Sequence, residues 1–137
     1  MAKKPKVPAF EFSPFGRKQL KLLTWWQEDS PVSDRFMVVA DGAIRSGKSV
    51  ACITSFMLYV MTHFNYMNAA IAGRTVLSVR RNIVQPLKQI AVCLNMEILD
   101  HRSENYLEVS YNGVSNYIYL FGGKDEASQD LVNLCRA

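Results

Sequence analysis

One short run constrains this chain more than any other: Gly42-Ala43-Ile44-Arg45-Ser46-Gly47-Lys48-Ser49. It matches G-x-x-x-x-G-K-[ST] at every fixed position and comes one residue after an apolar run, Phe36-Met37-Val38-Val39-Ala40. Beyond it, Ile53, Phe56, Met57, Val60, Met61 and Phe64 recur at three- and four-residue spacing as far as about Asn65, the period of an amphipathic helix. Buried strand, glycine loop, helix is the context in which this motif cradles phosphate. The glycines let the backbone curl so that successive N–H groups point inward, and the helix start adds its own N–H groups and positive dipole end. In that frame Lys48 reaches the β- and γ-phosphates and the Ser49 hydroxyl ligates Mg²⁺. Chance writes such a match into a chain this long in roughly 0.5% of cases. The bland alternative, a Gly-rich turn with a solvated lysine, is therefore set aside. The residues predict a nucleotide-binding domain of the P-loop class that takes a nucleoside triphosphate with Mg²⁺, residues Gly42 to Ser49 forming the site and Lys48 acting on the phosphates.

The remaining elements fit an α/β fold. A helix is expected from Phe15 to Trp26, with Leu20, Leu22, Leu23, Trp25 and Trp26 on its apolar side, ended by Ser30-Pro31-Val32-Ser33-Asp34. Ala69 to Gly73 reads as a second buried strand, and a second helix runs from about Leu77 to Leu94, kinked or interrupted at Pro86. Strand, helix, strand, helix argues for a parallel core. Tyr106–Tyr111 and Val114–Phe121 alternate about Asn112-Gly113, the signature of an antiparallel hairpin. The fold class is thus an incomplete P-loop parallel sheet carrying one antiparallel hairpin, with residues 1–14 a basic flexible arm and residues 15–137 a partial P-loop ATPase domain.

Composition narrows the function classes. With 137 residues, 49% hydrophobic and 20% charged, the chain is an ordinary globular domain and neither disordered nor a disulfide-stapled miniprotein. No apolar run is long enough to span a bilayer and the basic N-terminus leads into no signal-type apolar stretch, so no membrane partner and a cytoplasmic location are expected. Cys52, Cys93 and Cys135 are odd in number and, with His63 and His101, form no zinc pattern; they read as reduced, buried or half-buried thiols. A net charge of +4 permits an anionic partner.

Further segments have an order that carries a resemblance. Arg45 stands inside the loop, two residues before Gly47, and Gln19 lies upstream in Phe15-Gly16-Arg17-Lys18-Gln19-Leu20. Arg74-Thr75-Val76-Leu77-Ser78-Val79-Arg80-Arg81-Asn82 follows the second strand, and the hairpin ends in Ile118-Tyr119-Leu120-Phe121-Gly122-Gly123-Lys124-Asp125-Glu126. Together these resemble the N-terminal ATPase region of the terminase large subunit, the DNA-packaging motor of tailed double-stranded DNA phages, over roughly residues 10 to 130. The resemblance implies an ATPase that drives double-stranded DNA into a capsid in the bacterial host, with a small subunit and a portal as partners and a nuclease domain that is absent here. It implies that Arg45 acts catalytically on the γ-phosphate and that Gln19 reads the adenine. An always-charged guanidinium that grips phosphate bidentately suits the first role; a solvated loop arginine and an exposed helix glutamine remain the alternatives. Arg74, Arg80, Arg81 and Lys88 read either as DNA-phosphate contacts or as the solvated face of a helix. Tyr106, Tyr111, Tyr117 and Tyr119 read as cross-strand pairs.

The acidic partner of such a site is missing from the pattern. Met96-Glu97-Ile98-Leu99-Asp100 is broken by Glu97, and Asp125-Glu126 stand beyond the end of their strand rather than on it. The expectation is therefore a truncated terminase product or prophage remnant that binds ATP, hydrolyses it slowly or not at all, and exposes a sheet edge. Two other readings stay open: a non-catalytic P-loop binding module and a small-molecule or nucleoside kinase.

Overall fold

The computed structural model describes residues 12–43 and 47–123. Its sheet is built on the Asn112-Gly113 turn. Both residues take positive φ, 49° and 77°, the backbone a two-residue hairpin needs to follow strand twist. The turn joins β3 (Tyr106–Tyr111) to β4 (Val114–Gly122) in the expected register, with Tyr106 opposite Tyr119 and Leu107 opposite Ile118. β1 (Asn68–Gly73) pairs parallel with the other side of β4, and β2 (Glu97–His101) pairs antiparallel with β3, giving the order β1-β4-β3-β2.

Alternation sends Leu107, Val109, Ile118 and Leu120 to one face, where each is 1% exposed or less. They form one core with Ile53 and Met57 of α2 (Lys48–His63) and with Leu87 and Ile90 of α4 (Gln85–Cys93). On the other face His101 stacks on Tyr106 at 4.3 Å, and Tyr106 meets its register partner Tyr119 at 5.4 Å. Tyr106 and Tyr119 are thus a cross-strand pair, as the sequence suggested.

The second predicted helix is present with its interruption. α3 (Val76–Val79), capped by Thr75, runs through a π-helical turn (Arg80–Val84) into α4. Pro86 has no N–H to donate backward, and just before it the N–H of Gln85 reaches the carbonyl of Arg80, five residues back. α1 (Arg17–Thr24) packs on α2, and Trp26 Nε1 donates to Ser55 Oγ at 3.0 Å to hold the two together.

Two departures from the sequence reading concern strands. Phe36–Ala40 forms no strand; Phe36 is 95% exposed and Val39 81%. Apolar β-formers supply the tendency, but a strand exists only beside a hydrogen-bonded neighbour, and among the described residues none pairs with this run. The parallel part of the sheet is consequently the single β1–β4 pair. Conversely Glu97–His101, whose polar residues break the apolar pattern, is a strand. The basic arm falls largely on residues 1–11, outside the described residues; Phe12 packs on the core and against Phe15.

One side chain ties these layers together. Asn116, fully buried at the start of β4, accepts from the N–H of Met67 at 3.0 Å and donates to the carbonyl of Phe64 at 2.9 Å. It thereby fixes the end of α2 and the entry to β1 on the same strand.

Candidate nucleotide site

The site is assembled where α1 meets the start of α2. Gly47 is the N-cap of α2 at φ 78°, a left-handed conformation that glycine adopts without a Cβ penalty. Its carbonyl accepts from Ala51 N at 3.1 Å, so the helix begins at Lys48, as the motif requires. Lys48 turns back along the loop. Its Nζ donates to the carbonyls of Gly42 and of Ala43, the second at 3.2 Å. The ammonium is thus held over the loop mouth by acceptors that an anion would replace. Ser49 is exposed on the first turn. Ile44, Arg45 and Ser46 lie outside the described residues, as do Asp125 and Glu126.

Gln19 lies 28 positions before Gly47 yet touches it. The Gly16 N–H donates to Gln19 Oε1 at 2.8 Å, and this bond turns the amide nitrogen onto Gly47, where any added Cβ would overlap it. Gln19 and Lys48, singled out separately in the sequence, line one cavity of about 520 Å³ together with Gly42 and Ala43. Lys18, Leu22 and Trp25 complete that side. Their roles were not foreseen, although the spacing of 18, 22 and 25 marks one face of α1. An indole, aliphatic side chains, one amide, the ammonium groups of Lys18, Lys21 and Lys48 and a helix N-terminus form a concave site suited to a base at one end and phosphates at the other. Asp41 is the one carboxylate among the described lining residues.

Nearby, burial pushes the Cys52 thiol up and the charge of Lys48 pulls against it, leaving a half-buried, protonated group. Cys93 is exposed, unlike the buried or half-buried thiol expected, and Cys135 is outside the described residues. Among the described residues no group of three His, Cys, Asp or Glu is placed to hold a metal ion. A lone hydroxyl such as that of Ser49 suits an ion that arrives on the nucleotide, since Mg²⁺ keeps phosphate and water as most of its ligands.

Asp100, a residue of the tempting Met96–Asp100 segment, does not line this cavity. Its carboxylate is engaged elsewhere, by Arg80 at 3.0 Å and Lys88 at 2.8 Å, with Arg102 at 3.7 Å. Burial alone would raise its pKa; the hydrogen bonds and charges of Lys88 and Arg80 outweigh burial and hold it below its ordinary value. Arg80 and Lys88 are therefore not simply a solvated helix face, whereas Arg74 and Arg81 are exposed. At the far end of the sheet, Gly122 lies so close to the Thr75–Val76 backbone that a Cβ would stand 2.8 Å from Val76 N. Gly123 N–H donates to the Gly73 carbonyl at 2.8 Å, closing the carboxyl ends of β1 and β4 together.

No protein-family model matches the chain, and no curated protein matches it. Solved structures do. The large terminase from a thermophilic bacteriophage, in one crystal form, superposes with a TM-score of 0.84 and 47% identity over 88% of this chain and 30% of that one. The same phage's terminase in complex with ADP gives 0.80 and 46%, over 85% of this chain and 29% of that one. In complex with ATP-γ-S it gives 0.79 and 36%, over 90% and 36%. In sequence and in fold this chain is similar to part of a phage large terminase, and it spans about a third of the length of the terminases it matches. No described helix is long and apolar enough to cross a membrane.

Proposed function

We propose that this chain is the ATP-binding part of a phage DNA-packaging motor, in which ATP hydrolysis drives double-stranded DNA into a capsid in the cytoplasm of the bacterial host. The observation that carries this reading is the meeting of Gln19 and Lys48 in one cavity, with the Gln19 amide set against Gly47. The similarity to a large terminase whose structures include ADP and ATP-γ-S complexes supports the choice of nucleotide.

In this mechanism the Gln19 amide reads the edge of the adenine while Leu22 and Trp25 shield the ring from water. The backbone from Gly42 to Gly47 wraps the phosphates. Lys48 leaves the carbonyls of Gly42 and Ala43 for the β- and γ-phosphates, so its charge is already aimed before nucleotide enters. Arg45 adds a second positive charge at the γ-phosphate, where charge develops as the phosphoryl group transfers. The Ser49 hydroxyl would hold the Mg²⁺ that accompanies the nucleotide, and the ion would supply charge neutralisation and orientation of the phosphates. A small subunit and a portal are the proposed protein partners of the assembled motor.

The test is MgATP affinity by calorimetry for the chain and for Lys48→Ala, after circular dichroism shows both folded. Loss of binding in the variant supports the reading. A folded wild-type chain that fails to bind MgATP refutes it. Hydrolysis stimulated by duplex DNA would then separate a motor from a kinase or a passive binding module.

A further inference from the structure

The hollow beside the π-helical turn is a second charged site, and it shares no lining residue with the nucleotide cavity. It measures about 240 Å³ and is lined by Arg80, Arg81, Lys88 and Arg102 with a single carboxylate, Asp100, besides Leu77, Val84 and Gln85. Four cations meet one anion there, and Arg80, Lys88 and Arg102 share that single carboxylate, so the lining carries a surplus of three positive charges.

The cations divide by role. Arg80 is saturated. One of its terminal nitrogens donates to both oxygens of Asp100, at 3.0 and 3.1 Å, and the other faces the Arg102 carbonyl at 3.4 Å and Asn105 Oδ1 at 3.3 Å. Its terminal nitrogens are thus committed to groups of the protein. Lys88 gives one N–H to Asp100 and stays 35% exposed, while the Arg102 side chain is 75% exposed and Arg81 is exposed as well. Arg81 from the turn, Gln85 and Lys88 from α4, and Arg102 just after β2 line the same hollow. The lining offers charge and hydrogen-bond donors and contains no aromatic ring on which a base could stack.

We propose that this hollow grips the phosphodiester backbone of duplex DNA, through Arg81, Lys88 and Arg102, with Asp100 and Arg80 as the positioning pair. The proposal rests on the reading of the chain as part of a DNA motor. Contacts of this kind orient a duplex without reading its sequence, which is what a motor that moves any DNA requires.

The test is binding of a fluorescently labelled duplex of about 20 base pairs, followed by anisotropy across a salt series, with MgATP affinity measured on the same preparations. Arg81→Gln/Arg102→Gln removes two contacts from exposed positions. The slope of log affinity against log salt should fall by about 2, and affinity at 0.1 M salt by roughly 60-fold. MgATP affinity should not change. Arg17→Gln/Arg35→Gln removes the same charge from exposed positions elsewhere and should shift the slope far less. An unchanged slope in the first variant overturns the proposal, as does an equal fall in the control, which would make net charge the whole effect. A chain that binds MgATP but no duplex overturns the hollow alone. A folded chain that binds neither overturns the motor reading with it.

Discussion

Replacing Gly47 by Ala tests the contact that sets the shape of the nucleotide cavity. Gly47 sits at φ 78°, and an added Cβ would overlap Gln19 Nε2. The left-handed backbone alone costs a residue with a side chain about 1–2 kcal/mol. The overlap is relieved by swinging the Gln19 amide away, which gives up the 2.8 Å bond from Gly16 N–H. That bond contributes about 1 kcal/mol. Gly47→Ala should therefore cost about 2–3 kcal/mol. Gln19→Ala loses the same bond, about 1 kcal/mol. In the double variant nothing stands in the way of the new methyl, and the total should again be about 2–3 kcal/mol, so the two changes couple by about 1 kcal/mol. Urea unfolding of the four proteins, followed by circular dichroism at constant m, measures this coupling directly. If the two costs add to within about 0.5 kcal/mol, Gln19 does not pack against the loop as described and the reasoning fails.

Two further predictions concern the frame around the site. Asn116→Leu orphans the Met67 N–H and the Phe64 carbonyl in a fully buried place, and should cost about 3 kcal/mol, lowering Tm by roughly 12 °C in a thermal melt; a change under about 1 kcal/mol would contradict its role as a tie between layers. Asp100→Asn should cost about 2 kcal/mol at pH 7. Because the carboxyl is held below its ordinary value, its contribution is complete above about pH 4 and is lost as pH falls through the lower folded value, so wild type and variant should converge in urea unfolding as the pH is taken down to about 3. A gap that stays constant over that range would remove Asp100 from the account.

Much of this arrangement is legible in the residues because its causes are local. Asn112-Gly113 specifies its own turn, the helical period marks α2, and Pro86 dictates a break in the backbone ladder wherever it falls. The motif Gly42–Ser49 is legible for a different reason, since phosphate imposes the spacing. What escapes the sequence is whatever depends on a distant neighbour. Phe36–Ala40 has every local property of a buried strand, and only the lack of a pairing strand among the described residues leaves it outside the sheet, with Phe36 to Val39 exposed. Glu97–His101 has the opposite history. Its polar residues look disruptive until Asp100 meets Arg80 and Lys88, 20 and 12 positions away. Gln19 was picked out by resemblance, but its contact with Gly47 follows from the packing of α1 on α2, which periodicity does not reveal.

The π-helical turn has a geometrical consequence of its own. Arg80 and Lys88 are eight residues apart, and eight steps of about 100° overshoot two full turns by about 80°. A regular helix would aim these two side chains in different directions. The wider turn absorbs one residue, leaving seven effective steps, within about 20° of two turns. Both cations consequently close on the same carboxylate, while Val79 and Leu87, also eight apart, both point into the core at 1% and 0% exposure. The turn works as a phase corrector in the helical screw. Deleting one residue between Arg80 and Val84 would convert the wide turn into a regular one and keep the two halves in step, whereas tightening the turn with every residue retained would put them out of step.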